Sequence, residues 1–140
     1  MEKSLLDTDI FSEILRGVDL TCVRKAREYR EVFPRFTVSA ITVLEVVKGL
    51  HKVGREDRLR VFLGSLKAVE FLTLDERSSE LAGRIYADLE RTGQSIGRAD
   101  PMIAAIALRN GLTLVSGNVG HYERVADLGY KLRLDNWKKP

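Results

Sequence analysis

Residues 36–50 read Phe-Thr-Val-Ser-Ala-Ile-Thr-Val-Leu-Glu-Val-Val-Lys-Gly-Leu, and this stretch sets the fold class. Phe36-Thr37-Val38 is a short apolar run suited to a buried strand. Ser39 then supplies an N-cap whose hydroxyl can take the free amides of a first helical turn. Ile41, Leu44, Val47 and Leu50 follow at helical spacing and predict a helix that turns those four toward a core. The same alternation of strand and helix runs in both directions. Upstream, Ser4-Leu5-Leu6 is a strand ending at Asp7, and Ile10 to Leu15 a short helix stopped by Gly17. Leu20 to Val32 is a charged helix ended by Pro34. Downstream, Arg55 to Leu66 is a helix with Leu59, Phe62, Leu63 and Leu66 on its apolar face, and Ala68 to Leu72 is a third strand. Asp75 caps a long helix whose stripe is Leu81, Ile85 and Leu89, backed by Ala82 and Tyr86 and closed by Gly93. Asp100-Pro101 opens another helix with Pro at its first position. That helix is apolar on nearly every side and is therefore buried. Gly111 ends it, Leu112 to Val115 is a fourth strand, and Tyr130 to Leu134 a short fifth. Strands alternating with helices predict an α/β fold with one domain over 1–140. Its central, mainly parallel sheet has four to five strands, flanked by helices in three α/β/α layers.

Length and composition agree. At 140 residues the chain suits one domain with its own core. An apolar fraction of 44% excludes a disordered chain. The single cysteine, Cys22, excludes a disulfide framework and any multi-cysteine metal site, and fits a reducing compartment. No apolar run approaches the roughly 18 residues of a membrane span. Met1 to Asp7 carries acid early and has no long apolar region, unlike a signal peptide. The expectation is a cytoplasmic protein with no membrane contact. Lys plus Arg is 23 against 20 for Asp plus Glu, a net +3 that permits a nucleic-acid partner without requiring one.

Three acids stand out by position. Asp7 lies at the carboxyl end of the first strand, where open α/β sheets bind ligands. Glu45 interrupts an apolar helix, and glutamate is rarely buried unpaired. Asp100 opens the most apolar helix in the chain. Each also has a plain structural reading: Asp7 and Asp100 as N-caps, Glu45 as a rim residue reaching solvent. Spacing alone does not bring the three together. Carboxylates that met at one cleft could not all stay ionised without a cation. Their hard oxygens suit Mg²⁺ or Mn²⁺, which can activate water against a phosphodiester.

Four segments carry a resemblance. They are Leu5-Leu6-Asp7-Thr8-Asp9-Ile10, the run Ser39 to Val46, the run Ile96-Gly97-Arg98-Ala99-Asp100-Pro101 to Ala105, and Leu114-Val115-Ser116-Gly117-Asn118 to Tyr122. In that order the chain resembles a PIN-domain ribonuclease, the VapC toxin of a toxin–antitoxin pair, down to Asp135-Asn136-Trp137. The resemblance implies a single PIN-like domain and an acidic pocket of Asp7, Glu45 and Asp100 that binds Mg²⁺ or Mn²⁺ and hydrolyses RNA. Asp7 and Asp100 would be the main metal ligands. Glu45 would bind through water or help activate the attacking water, and Thr8 and Ser116 would support the pocket. Where many members carry a further Asp, this chain has Asn118, which keeps an acceptor oxygen and loses the charge. The resemblance also implies a homodimer and a small antitoxin partner that wraps the toxin and reaches the pocket with a basic side chain. The Leu20 to Val32 and Arg55 to Leu66 helices are the expected docking surface. The RNA would be a tRNA or another structured RNA.

Other residues carry weaker readings. Asp9 reads as a cap for the helix that follows it. His121 reads as a helix-surface residue without a role. Lys48, Arg84, Arg91, Arg98 and Arg124 are candidates for phosphate contact, Arg98 foremost because it lies two residues before Asp100. Two alternatives stand beside the nuclease. Asp7-Thr8-Asp9 also resembles the haloacid-dehalogenase phosphatases, whose first Asp is a nucleophile, although Phe11 departs from that motif. Asn118 motivates a catalytically impaired PIN module that binds RNA or protein. If three acids serve a cation, the bases outnumber the remaining acids clearly, a layout suited to an RNA backbone.

Overall fold

Every strand is only two or three residues long, yet together the strands set the whole architecture. The structure, a computed structural model, describes residues 1–140. Strands β1 (Ser4–Leu6), β2 (Thr37–Ser39), β3 (Glu70–Leu72), β4 (Thr113–Val115) and β5 (Leu134–Asp135) form one sheet in the order β3-β2-β1-β4-β5. All four pairings are parallel, as the alternation predicts. The central strand β1 lies against β4 over its full length, with Ser4 beside Thr113, Leu5 beside Leu114 and Leu6 beside Val115.

Successive strand residues point to opposite faces, so each face gathers its own core. Leu5 and Leu114 point to one side. There they meet α5 (Glu76–Arg91), α6 (Asp100–Arg109) and α7 (Val119–Asp127) through Ala82, Ile85, Leu89, Ile103, Ile106 and Val125. Leu6, Val38 and Val115 point to the other side. There they meet α1 (Thr8–Arg16), α2 (Leu20–Val32) and α4 (Glu56–Ser65) through Ile10, Phe11, Cys22, Ala26, Leu59 and Phe62. Helix α3 (Ala40–Lys52) touches both cores, Ile41 on one and Val43, Val46, Val47 and Leu50 on the other. The result is the expected three-layer sandwich. Tyr29 stacks on Phe33 and Phe36 and holds Trp137 at 5.3 Å, so the last residues seal the second core.

Several boundaries differ from the sequence reading. Leu44 is 60% exposed rather than core-facing, because α3 turns its valine row to the sheet instead. Leu63 is exposed at 44% on α4, where Leu59 and Phe62 do the packing. The third strand loses its start to a 3-10 turn, Leu66–Ala68, and the fifth pairs only at Leu134 and Asp135. Helix α7 is not delimited in the sequence reading, although Val119, Tyr122 and Val125 recur at helical spacing and the latter two form its buried face. Pro101 is the second residue of α6, not the first.

Ile85 is fully buried, so Ile85→Ala should lower stability by about 2–5 kcal/mol in urea denaturation. The exposed Leu44→Ala should change stability by less than about 0.5 kcal/mol in the same assay.

Candidate active site

The strand order places the chain's change of direction between β1 and β4, the position where parallel sheets bind ligands at their carboxyl ends. Asp7 sits one residue past β1, only 5% exposed. Its backbone amide continues the ladder by donating to Val115 at 2.9 Å. The side chain caps α1: Oδ1 accepts from the Thr8 amide at 2.9 Å. Its other oxygen, Oδ2, accepts from the Ser116 hydroxyl at 2.8 Å. Ser116, fully buried just past β4, in turn accepts from the Asn118 amide at 2.9 Å. Asp7 therefore caps α1 with one oxygen and turns the other toward the end of β4.

Tyr122 joins this group from α7. Its fully buried hydroxyl lies 3.2 Å from Asp7 Oδ2 and 3.3 Å from Asp100 Oδ1. A phenol carries one proton and can donate to one carboxylate at a time, so both contacts are long. Burial, followed by the two negative charges, holds the phenol far above its ordinary range. Sequence reasoning passed over Tyr122. Its signal was a tyrosine on the inner face of a short helix, where the hydroxyl must find a partner.

Asp100 does not cap its helix. Ala99 holds that place without a side-chain bond, and Pro101 offers no N–H to accept. The carboxylate turns to α7 instead, toward Tyr122 and toward His121, whose Nδ1 is 3.6 Å from Oδ2. His121 thus faces the acidic group that the sequence reading kept it out of. Glu45, half-buried on α3, accepts from the Thr8 hydroxyl at 2.7 Å, with Thr42 Oγ1 3.0 Å from that same hydroxyl. Its tie to the other acids runs through Thr8, the neighbour of Asp7, not through a shared hydrogen bond.

Asp9 also departs from its expected capping role. Asp7 already fills the cap, so Asp9 reaches across the sheet edge. Its Oδ2 accepts from the Gly117 amide at 2.9 Å and lies 3.7 Å from Lys138 Nζ, while its buried Oδ1 has no partner. A Cβ on Gly117 would stand 2.3 Å from Asp9 Oδ2, so only glycine allows that approach. Asn118 occupies the N-cap position of α7, exposed and with no side-chain capping bond. Arg98 is exposed in the segment leading into α6.

Burial raises the Asp7 carboxyl to about 6. The Ser116 bond works against that rise, Asp9 and Asp100 repulsion adds to it, and the Thr8 amide opposes it. A buried acid beside two others is the electrostatic setting that a cation relieves. The donors are all hard oxygens. No three His, Cys, Asp or Glu side chains stand together as a ready ligand set. Mg²⁺ asks for less, since it keeps several waters and takes one or two carboxylates. The pair Asp7 and Asp100, on either side of one hydroxyl, fits that demand.

Residues 4–128 match the PIN domain. The chain belongs to the PIN-domain family. Its relatives within the family are of the VapC type. The tRNA(fMet)-specific endonuclease VapC of Shigella flexneri is 31% identical over 142 residues, spanning 98% of this chain and 99% of that protein. Ribonuclease VapC2 of Haemophilus influenzae is 32% identical over 138 residues with the same shares. Among solved structures, the DNA-bound VapBC of Salmonella typhimurium superposes with a TM-score of 0.78 at 30% identity, covering 98% of this chain and 99% of that one. VapBC-1 of nontypeable Haemophilus influenzae gives 0.79 at 26% identity over 97% and 98%. The PIN match includes Asp7-Thr8-Asp9, so the dehalogenase-like reading of that tripeptide gives way. No helix of this PIN domain is long and apolar enough to cross a membrane.

The folded state holds the Asp7 proton up to about pH 6, against 3.8 for the ordinary group. That contribution to stability is complete below pH 4 and is lost as pH rises to about 6. Asp7→Asn escapes the loss. Measured by urea denaturation in EDTA, its stability relative to wild type should rise by up to about 3 kcal/mol between pH 4 and pH 7. Separately, Tyr122→Phe should weaken Mg²⁺ or Mn²⁺ binding, read by calorimetry, because the two carboxylates lose the hydroxyl that spaces them.

Proposed function

We propose that this chain is the ribonuclease toxin of a toxin–antitoxin pair, an endonuclease that hydrolyses RNA phosphodiesters with Mg²⁺ or Mn²⁺. The observation that carries the reading is the sharing of one buried Tyr122 hydroxyl by Asp7 and Asp100 at the carboxyl edge of a PIN sheet. Asp7 and Asp100 would hold the cation, with Glu45 reaching it through water. When bound, such an ion supplies a Lewis acid for the phosphoryl group and lowers the pKa of water. Ser116, Tyr122 and the Thr8 amide fix the Asp7 carboxylate, so that its oxygens keep one orientation. The Thr8 hydroxyl fixes Glu45, leaving its second oxygen to take a proton from water. Asn118 at the rim offers a neutral acceptor and donor to the substrate. Arg98 offers a guanidinium to a phosphate, a contact that adds affinity and not base choice.

Structured RNA, tRNA foremost, is the proposed substrate, supported by the tRNA(fMet)-specific name of the 31%-identical relatives. The proposed partner is a small antitoxin, supported by the VapBC complexes among the neighbouring structures. Eight of the ten exposed large hydrophobic residues lie between Leu15 and Leu63, among them Val18, Leu20, Val32 and Val61. Concentrated apolar exposure marks a protein-binding surface. It coincides with α1 to α4, the helices proposed to meet the antitoxin and a second toxin copy. The protein is proposed to work in the cytoplasm.

The test is cleavage of labelled total tRNA by the purified protein. Cutting should require Mg²⁺ or Mn²⁺, stop in EDTA, and fall at least about 100-fold in Asp7→Asn and in Asp100→Asn. Cleavage that survives chelation and both substitutions would overturn the reading. Asn118 supports one other reading, a binding module without turnover. That reading gains if the metal-loaded wild type binds RNA and leaves it intact.

A further inference from the structure

Beside the acidic group, on the far side of Asp100, lies an open cleft of about 280 Å³. Tyr86 and Leu89 of α5 line one wall, Ile96, Gly97 and Arg98 the other, and Pro101 closes the end nearest Asp100. The acidic group and the cleft share one stretch of chain. Gly97 packs against Asp100, where a Cβ would meet Oδ2 at 3.5 Å, and Pro101 follows Asp100 directly. The stretch is pinned where it leaves α5. The Gln94 amide donates to Leu89 at 2.8 Å, and Arg124 of α7 donates to the Ser95 carbonyl at 3.1 Å.

The lining is chemically specific. Its floor is apolar, its one aromatic ring is half-buried, and its one cation is an exposed guanidinium. Burial holds the Tyr86 phenol above its usual range, with the Asp100 charge adding to the rise and Arg98 opposing it. Its hydroxyl therefore senses both residues. A flat face with polar edges and an attached anion matches this set: the face against the ring, the anion on the guanidinium fork. Glu90, the one acid in the lining, offers an acceptor to a base amino group. A base still paired in a helix has neither face free, whereas an unpaired base can be splayed out and stacked.

Resting on the ribonuclease reading, we propose that this cleft receives one unpaired nucleotide next to the scissile phosphodiester, its base against Tyr86 and its phosphate on Arg98. The acidic group would then act only where the RNA leaves a base free, in a loop, bulge or end. Site choice would come from the cleft, and bond breaking from the carboxylates.

The test uses the full chain in EDTA, so that binding is read without cleavage. A fluorescent single-stranded RNA octamer and a duplex of the same length are titrated by anisotropy. Tyr86→Ala should weaken single-strand binding about tenfold to a hundredfold and leave duplex binding unchanged, while Tyr86→Phe should bind as wild type. Arg98→Ala should weaken single-strand binding and lower its salt slope by about one. Tyr86→Leu keeps apolar volume without the ring and should match Tyr86→Ala, which guards against a folding defect. In the wild type, an octamer carrying 4-thiouridine should crosslink to Tyr86 or to the 95–98 segment. If the wild type cuts RNA with metal but these variants bind as wild type, or the crosslinks fall only elsewhere, the cleft inference fails and the ribonuclease reading stands. If the wild type neither binds nor cuts RNA, both fail.

Discussion

Asp7, Asp9 and Asp100 crowd like charges around a spot where one of them is almost fully buried, and the rest of the structure answers that repulsion. The donors to these carboxylates come from several elements. Asp7 takes the first amide of α1, a hydroxyl from the end of β4 and a phenol from α7. Asp9 takes the amide of Gly117 and faces Lys138 near the carboxyl terminus. Asp100 shares the phenol and faces His121. At Asp7, removing a donor leaves a buried acceptor short of a bond, which costs more than the bond itself contributes. The acidic group is thus a junction that ties β1, β4, α6, α7 and the C-terminal residues together.

The fold was legible because its signals are local. Caps at Ser39 and Asp75, stops at Gly17 and Gly111 and the short apolar strands each announce themselves within a few residues. On α3 the spacing placed Ile41, Val47 and Leu50 correctly on the cores and failed only at Leu44. Leu44 and Val43 differ by one position, and only the angle at which the helix crosses the sheet decides which is covered. The site shows the same division. Asp7 could be singled out from its place at a strand end. Its link to Asp100 depends on a tyrosine 115 residues away, which spacing does not announce. Asp9 was misread as a cap because its real partner, the Gly117 amide, is 108 residues distant.

The family match ends at residue 128, yet the structure past that point is integral. Leu134 and Asp135 add the edge strand β5, and the Ser116 amide donates to Asp135 at 2.9 Å. Trp137, 1% exposed, closes the aromatic group around Tyr29. Tyr29 in turn accepts from the Ser4 amide at 3.2 Å. The two ends of the chain are therefore secured against each other beside β1, the strand that delivers Asp7.

That closure governs when the acidic group can assemble. The middle strand is made first, but its full-length neighbour β4 is made more than 100 residues later, and a long-range pairing cannot form before both partners exist. During synthesis Asp7 emerges early and waits for Ser116 and Tyr122. A nascent chain whose β4 and α7 are still inside the ribosome therefore has no assembled acidic group. A chain interrupted before β4 carries Asp7 and Glu45 without the Ser116 and Tyr122 hydroxyls that hold the Asp7 carboxylate. A PIN domain whose most buried acid is completed by distant, late-made segments thus gains its acidic group only after β4 and α7 have left the ribosome.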